Sequence, residues 1–393
     1  MMEPAARGES VPRAYLHIGG MTLARHQLRL ALVMECQRVV CIAREVVPEL
    51  IELQHVAEAA GAQFHIVSGA RGLAGLVTAN DELLVLAEGL LADPLAAKSL
   101  LEGSHAVLVQ PVEIGLPTGF ERIDLNHATA GAMRVPGRLA EKLLDLPPDC
   151  DVPSALTRIA LQAGISMREV PAASREGARW RLVSGEDDVH ALEKEWIGLH
   201  LGKLKASSPG MFLSRVGVMS FGASLLHAGK GSKLALIAGA VVMLIALGSG
   251  WLGANVIAFV FCAIAWTLLC AAGMLHEVEA ASLEVDGWFT IGKLLQFLLD
   301  LELVLLVVLA VGPPLWGISL AALVFPPLIL VILARLFANI SDYKWSTWVR
   351  DRAVLALILA LATGFGIVME AAQAISLVLG LAALFFTGAK ARI

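Results

Sequence analysis

The chain has 393 residues, of which 57% are hydrophobic and 17% charged, with a mean hydropathy of +0.72. That balance excludes an ordinary soluble enzyme for the chain as a whole, and a formal net charge of -5 excludes nucleic acid as a partner, since binding it requires a basic face that displaces counterions. Five cysteines (Cys36, Cys41, Cys150, Cys262, Cys270) show neither metal-ligand spacing nor a disulfide framework, and read as small apolar fillers in a reducing compartment.

Residues 1–13 lack the apolar core of a cleaved signal peptide, so internal helices are expected to drive membrane insertion. Up to about Ser208 the chain mixes charges, prolines and short apolar runs; from Lys233 onward long stretches carry no charge. In the first half, β-rich runs at residues 38–42, 63–67, 82–86 and 105–109 alternate with helical patterns at 21–34 and 48–60. This alternation predicts a mostly parallel sheet wrapped by helices. A helix around 154–164 and a strand near 166–170 follow.

From 187 to 205 the pattern is helical, with Leu192, Trp196, Leu199 and Leu204 on the apolar side and Lys194, His200, Lys203 and Lys205 polar. A second amphipathic stretch runs over 211–228, with Arg215 near its start. Tryptophan, lysine and arginine beside a membrane span suit helices lying in the headgroup layer; the plainer alternative is a solvated linker helix.

The apolar run 234–275 is too long for one span, because about 20 residues cross the hydrocarbon core, so a helical hairpin turning at Gly248-Ser249-Gly250 is expected. Further spans are predicted at 291–311, 318–336, 353–369 and 374–386, with Gly312-Pro313-Pro314 separating the third from the fourth, which makes six. Lys230 and Lys233 precede the first span, Arg335, Lys344, Arg350 and Arg352 join the fourth to the fifth, and Lys390 and Arg392 end the chain. The loops at Gly248 and Gly312 carry no basic residue. The positive-inside bias then predicts a multi-pass protein of the inner membrane with its N-terminal domain and C-terminus cytoplasmic. The expected divisions are 1–188 for the α/β domain, 189–230 for juxtamembrane helices and 231–393 for the membrane domain.

Three features in fixed order carry a family resemblance. They are Pro12-Arg13 followed by Leu16-His17-Ile18-Gly19-Gly20, the turn Ala87-Glu88-Gly89-Leu90-Leu91-Ala92-Asp93 after a strand, and six spans with a polar segment between the second and third. In these the chain resembles the bifunctional fusion in which a nucleotidyltransferase-like domain that makes CDP-inositol precedes a CDP-alcohol phosphotransferase membrane domain. The resemblance covers nearly the whole length. It implies a Rossmann-like α/β domain followed by an all-α six-helix transmembrane domain, a homodimer in the lipid bilayer, a CDP-alcohol or phosphorylated polyol as ligand, and Mg²⁺ or Mn²⁺ as cofactor in an active member.

The chain departs from both family patterns. The nucleotidyltransferase pattern wraps a triphosphate in a glycine-rich loop ending in Thr-Arg and then Pro-Lys; here Arg7-Gly8 and Pro12-Arg13 stand in that place, leaving Arg13 as the basic contact. The resemblance puts Glu88 where a metal-binding aspartate belongs and Ser184 where a second belongs, and a hydroxyl does not supply a carboxylate's charge to Mg²⁺. The membrane pattern is D-G-x-x-A-R, a spacer, then G-x-x-x-D-x-x-x-D, which sets carboxylates on facing helices around two divalent ions. Its second half matches Gly292 and Asp300 but has Gln296 for the middle aspartate. Its first half falls on 275–283, where Glu277 and Glu279 stand without the Asp-Gly and Ala-Arg pairs. The implied metal set is therefore Glu277, Glu279 and Asp300, with Asp300 catalytic; Arg350 and Arg352 resemble the basic cluster that contacts the acceptor's phosphate.

These acids, with Glu284, Asp286 and Glu302, are expected at the cytoplasmic mouth of spans two and three. For the loop glutamates the plainer reading is a solvated segment favoured by a helix dipole. Asp300 and Glu302 differ, since each lies about 1.5 turns or more inside a hydrophobic span, where an ionised group is expensive and usually partnered. His17 and His65 read as packed or surface residues, Glu370 as a residue of the outer turn between spans five and six, and Trp251, Trp316, Trp345 and Trp348 as members of an interfacial belt. Two broken patterns in one chain predict a weakly active or non-catalytic member with a binding or scaffolding role. The alternative is an active transferase moving a phospho-alcohol from a CDP-activated donor to a phosphorylated polyol or lipid acceptor. A transporter finds no inverted repeat to support it.

Overall fold

A computed structural model describes residues 12–147, 150–201, 208–227, 231–280, 288–312, 320–340 and 346–390. The chain forms two compact units, Met1–Leu199 and His200–Ile393.

The first unit is α/β. It opens with the short strands β1 (His17–Ile18) and β2 (Met21–Thr22), then α1 (Leu23–Val33), whose first turn is capped by the Thr22 hydroxyl accepting from the Arg25 N–H at 3.3 Å. There follow β3 (Arg38–Ile42), α2 (Pro48–Ala59), β4 (Gln63–Val67), β5 (Glu82–Leu86), β6 (Leu90–Ala92) and α3 (Pro94–Leu101). Next come β7 (Ala106–Pro111), the single turn α4 (Val112–Gly115), β8 (His127–Pro136), α5 (Val152–Gln162), β9 (Ser166–Glu169), the turn α6 (Ala172–Arg175), β10 (Trp180–Leu182) and α7 (Glu186–Leu201).

The strands pair as a mixed arrangement rather than a mostly parallel one. The central sheet runs β5-β8-β7-β9, with β8 antiparallel to both β5 and β7 and only β9 parallel to β7. β3 and β4 form a separate parallel pair, and β10 pairs with β6 antiparallel. The cause is β8, whose sequence His-Ala-Thr-Ala-Gly-Ala-Met-Arg-Val-Pro is poor in the β-branched and aromatic residues that announce a strand. It is held extended by burial on both faces. Ala128, Ala130 and Ala132 pack with Leu108 and Trp180, while Met133 and Val135 pack with Val107, Val109 and the apolar side of α5. The Trp180 Nε1–H donates to the Ala130 carbonyl at 2.9 Å, so the indole is buried without an orphaned donor.

α7 lays Val189 and Leu192 into the same apolar cluster as Leu16, Ile18 and Leu23, and Trp196 packs against it with its ring edge-on to His26 at 5.0 Å. These apolar positions, which the sequence assigns to a headgroup-facing helix, thus cover the first unit. Lys203, Leu204 and Lys205 lie outside the described residues.

The second unit is helical: α8 (Pro209–His227), α9 (Gly231–Trp251), α10 (Asn255–Ala280), α11 (Trp288–Val311), α12 (Leu320–Ile340), the short α13 (Ser346–Arg350), α14 (Arg352–Gly364) and α15 (Val368–Lys390). Three of its segments, Gly231–Trp251, Asn255–Glu279 and Ile291–Val311, are long and apolar enough to cross a membrane, with mean hydropathies of 2.2, 2.4 and 2.5. Ala321–Leu336, Arg352–Gly364 and Val368–Leu384 are shorter apolar helices. The chain is thus a membrane-embedded, multi-pass protein. Leucines such as Leu244, Leu361, Leu377 and Leu384 stay exposed while Phe259, Cys262, Leu303 and Leu306 form the interior, the distribution expected where lipid is the solvent.

The first helical hairpin turns later than its glycines suggest. Gly248 and Gly250 stay helical in α9, and the chain reverses at Gly253, whose φ of +81° is the left-handed cap conformation that only glycine adopts without strain. The last hairpin turns at 365–367, so Glu370 belongs to the first turn of α15 rather than to a loop, where its charge suits the helix dipole. Pro313, Pro314, Trp316, Lys344 and Trp345 lie outside the described residues.

In the first unit Cys41 sits on β3, and burial pushes its thiol up to about 11; burial raises Cys36 as well. At pH 8 the thiolate is therefore scarce, and iodoacetamide should modify Cys41 roughly a hundredfold more slowly than an unfolded thiol, as followed by peptide mass spectrometry with and without denaturant.

Candidate functional site

Asp300 lies near the middle of the Ile291–Val311 segment, nine residues past Ile291 (300 − 291 = 9), which is about 14 Å along a helix. A carboxylate at that depth can stay ionised only with cationic partners or hydrogen-bond donors. Asp300 has both: the Arg352 Nε–H donates to Oδ1 at 2.6 Å, Arg352 Nη2 to Oδ2 at 3.2 Å, and Arg335 Nε to Oδ2 at 2.5 Å. Asp300 and Arg352 are 3% and 4% exposed, so the fork between them is fully desolvated. Arg335, near the end of α12, keeps 45% of its side chain exposed and lays its guanidinium 5.2 Å from the ring centroid of Phe297, three residues before Asp300 on α11. One carboxylate and two guanidinium groups leave the triad with a net charge of one positive unit.

The neighbouring Asp351 does a different job. It is 2% exposed; its Oδ1 accepts from the Ala353 N–H at 3.0 Å, capping α14, and its Oδ2 accepts from the Gly210 N–H at 2.6 Å, at the start of α8. Gly210 approaches so closely that a Cβ there would collide with the Asp351 carboxylate. Ser214, one turn on, places its Oγ 2.8 Å from the Gly210 carbonyl of its own helix and 2.8 Å from the Thr267 carbonyl of α10; donation to the latter ties α8 to α10.

The other residues singled out by the resemblance fall elsewhere. Glu279 accepts from the Ser232 N–H at 3.0 Å and from the Ser232 hydroxyl, joining the end of α10 to the start of α9. Glu277 is exposed, and Glu284 and Asp286 lie outside the described residues. Arg350 ends α13 on the surface, while Arg352 is turned inward onto Asp300. Among the described residues no three His, Cys, Asp or Glu side chains gather in a way that could hold a metal ion. Both Asp300 oxygens face guanidinium groups and both Glu279 oxygens face Ser232, so this donor set does not fit Mg²⁺ or Mn²⁺, which need free carboxylate oxygens.

In the first unit, Arg13 and Glu88 are brought together. They line a cavity of about 120 Å³ with Glu121, Asp151, Ser154 and Thr157. Ser154 donates through Oγ to Glu121 at 2.5 Å and through its N–H to Asp151 at 2.9 Å. Desolvation first, and then Glu121 and Glu88, hold the Asp151 carboxyl above its ordinary range, against the lowering effect of the Ser154 N–H. Among the described residues the lining carries three carboxylates, Glu88, Glu121 and Asp151, and one arginine, Arg13; Arg7 and Gly8 lie outside the described residues. Ser184 lies outside this lining, and its N–H donates to Asp188 at 2.9 Å.

Sequence reasoning missed Arg335, Asp351 and Gly210 as members of the site. The available signal was electrostatic: isolated charges in apolar helices must find one another, and Asp300, Arg335 and Arg352 are such charges.

Removing a partner from a buried ion pair costs about 3–5 kcal/mol because the remaining charge is stranded. Arg352→Ala should therefore lower the unfolding temperature of the detergent-solubilised protein clearly more than Arg335→Ala, whose side chain is 45% exposed. Asp351→Ala removes two caps at once, each worth about 0.5–2 kcal/mol, and should speed hydrogen exchange at the Gly210 and Ala353 amides together.

Compared with protein-family models and with curated proteins, the chain matches none of either, so the reading of these sites rests on their own residues.

Proposed function

We propose that this protein is a catalytically weak or silent relative of the nucleotidyltransferase and CDP-alcohol phosphotransferase fusions, a six-span inner-membrane protein whose role is binding or scaffolding. The observation that carries the reading is the occupation of Asp300. The family's chemistry needs carboxylates free to hold divalent ions against a pyrophosphate, and the last aspartate of that pattern is here closed into an ion triad with Arg335 and Arg352. Gln296 replaces the preceding aspartate, so no second carboxylate stands one turn away. The acid-lined cavity of the first unit supports the same conclusion for nucleotide transfer.

The three shorter apolar helices are the remaining spans of the proposed six, and the basic residues Lys233, Arg350 and Lys390 support, by the positive-inside bias, an N-terminal domain and C-terminus in the cytoplasm. The net positive triad, with Arg335 half exposed, favours an anionic ligand such as a lipid phosphate or a phosphorylated polyol. A homodimer follows the family's habit.

The test is an assay of the purified full-length protein in detergent with CDP-diacylglycerol or CDP-inositol, a phosphorylated polyol and Mg²⁺ or Mn²⁺. CMP release should stay at the level of the protein-free control. Metal-dependent CMP release that disappears in Asp300→Ala would show an active transferase instead.

A further inference from the structure

The course of α8 is fixed by contacts at both of its ends. At its start the Gly210 N–H donates to Asp351 at 2.6 Å, and one turn on Ser214 places its Oγ 2.8 Å from the Thr267 carbonyl. Thr267 is the midpoint of the apolar Asn255–Glu279 segment, twelve residues from either end (267 − 255 = 12; 279 − 267 = 12). At the other end of α8 a Cβ on Gly231 would sit 2.9 Å from the Leu225 carbonyl, and the neighbouring Ser232 N–H donates to Glu279 at 3.0 Å, in the last turn of α10. Ser214 and Leu225 are eleven residues apart (225 − 214 = 11), about 16 Å of helix, while Thr267 to Glu279 covers about 18 Å. Two helices joined at both ends of such matched lengths run side by side, so α8 follows α10 from the middle of its apolar segment to its end. A helix lying flat in the headgroup layer would cross α10 at one level.

The hydrogen bonding of the α8 start fits a place without water. The first N–H groups of a helix lack helical acceptors, and in hydrocarbon each must find another. Pro209 has no N–H, Gly210 donates to Asp351, Met211 donates to the Ser208 hydroxyl at 3.4 Å and Phe212 to the Ser208 carbonyl at 2.9 Å. Burial agrees. Every fourth residue, Gly210, Ser214, Val218, Gly222 and Leu226, is buried, whereas Phe212, Leu213, Val216 and Phe221 are 46% to 67% exposed. The exposed positions also change along the helix, with Phe212, Leu213 and Val216 towards its start and Ser220, Phe221 and Ser224 towards its end. Arg215, the one ionisable residue between Pro209 and Leu226, is half-buried and so is not part of the outward face. α9, which begins beside Leu225, exposes Leu234, Ile237 and Leu244 in turn, so the outward face of α8 adjoins a surface suited to lipid.

We infer that the outward face of α8 is a docking surface for the acyl chains of one membrane leaflet, and that α8 is a half-membrane helix whose first turn lies near the bilayer midplane and whose last lies at the headgroups. Acyl chains are the occupant because the face is uncharged, because its hydroxyls are confined to the end that meets α9, and because the start of the helix is satisfied by protein groups alone.

The experiment introduces single cysteines, as Leu213→Cys, Val216→Cys, Ser220→Cys and Ser224→Cys, into the full-length protein after its five native cysteines are replaced by alanine. Each variant is spin-labelled in phosphatidylcholine vesicles, and its depth is read from collisions with oxygen against those with a water-soluble nickel chelate. The label of Leu213→Cys should lie at least about 8 Å deeper than that of Ser224→Cys, half the rise of eleven helical residues, with the other two between. If the cysteine-free background folds poorly, the unaltered protein is irradiated in vesicles of phosphatidylcholine carrying a diazirine at the chain terminus. Adducts mapped by tandem mass spectrometry are then expected on Phe212, Leu213 or Val216. Equal depths at all four positions would lay α8 in the headgroup layer, and full access of the nickel chelate would make it a solvated linker. Spin–spin broadening between copies in Leu213→Cys would make the face a contact with a second chain. Each of these results overturns the inference, as does a photolabel that spares residues 211–216.

Discussion

The second unit is organised by the need to neutralise a carboxylate where no water can reach it. Asp300 meets that need by drawing Arg352 from the first residue of α14 and Arg335 from near the end of α12, so one side chain fixes three helices at one level. The attraction between these charges is offset by the cost of taking them from water, and the pair is therefore a weak source of net stability but a strong selector of arrangement. Any packing that separates α11 from α14 strands a charge in the apolar interior. Asp351, adjacent in sequence to Arg352, extends the same constraint to α8 through the Gly210 N–H.

Helical geometry gives the two carboxylates of α11 opposite surroundings. Asp300 and Glu302 are separated by two residues, hence by more than half a turn around the helix, and one meets two guanidinium groups while the other meets none. The chemistry available to the domain follows from this division. A carboxylate already neutralised by arginine is poorly placed to hold a divalent ion. In the first unit the same accounting applies to the cavity beside Arg13, where, among the described residues, Glu88, Glu121 and Asp151 outnumber that one cation.

What the amino-acid sequence made legible was local. β3, β4 and β5 were readable because their apolar, β-branched runs stand between turn residues, and α1 and α2 from their helical periodicity. β8 was not, because alanine and glycine carry little strand signal; its conformation is imposed by β5 and β7 on either side, and with it went the expected parallel sheet. The hairpin between α9 and α10 was legible, but its glycines misplaced the turn, since only Gly253 takes the left-handed conformation. Asp300 stood out as a charge within an apolar span. That Arg352 faces it, rather than an external phosphate, depends on the tertiary approach of α14 to α11, and spacing along the chain contains no trace of that approach. The partnership of Glu279 with Ser232 was hidden for the same reason.

The coupling between Asp300 and Arg352 is most directly measured by a double-mutant cycle, comparing the unfolding free energies of Asp300→Ala, Arg352→Ala and the double variant in detergent micelles. Mutual neutralisation in a water-free interior gives a double variant less destabilised than the sum of the singles, with a coupling of about 1–3 kcal/mol. Additive losses would mean that the two side chains do not depend on each other, and that Asp300 is balanced by some other group.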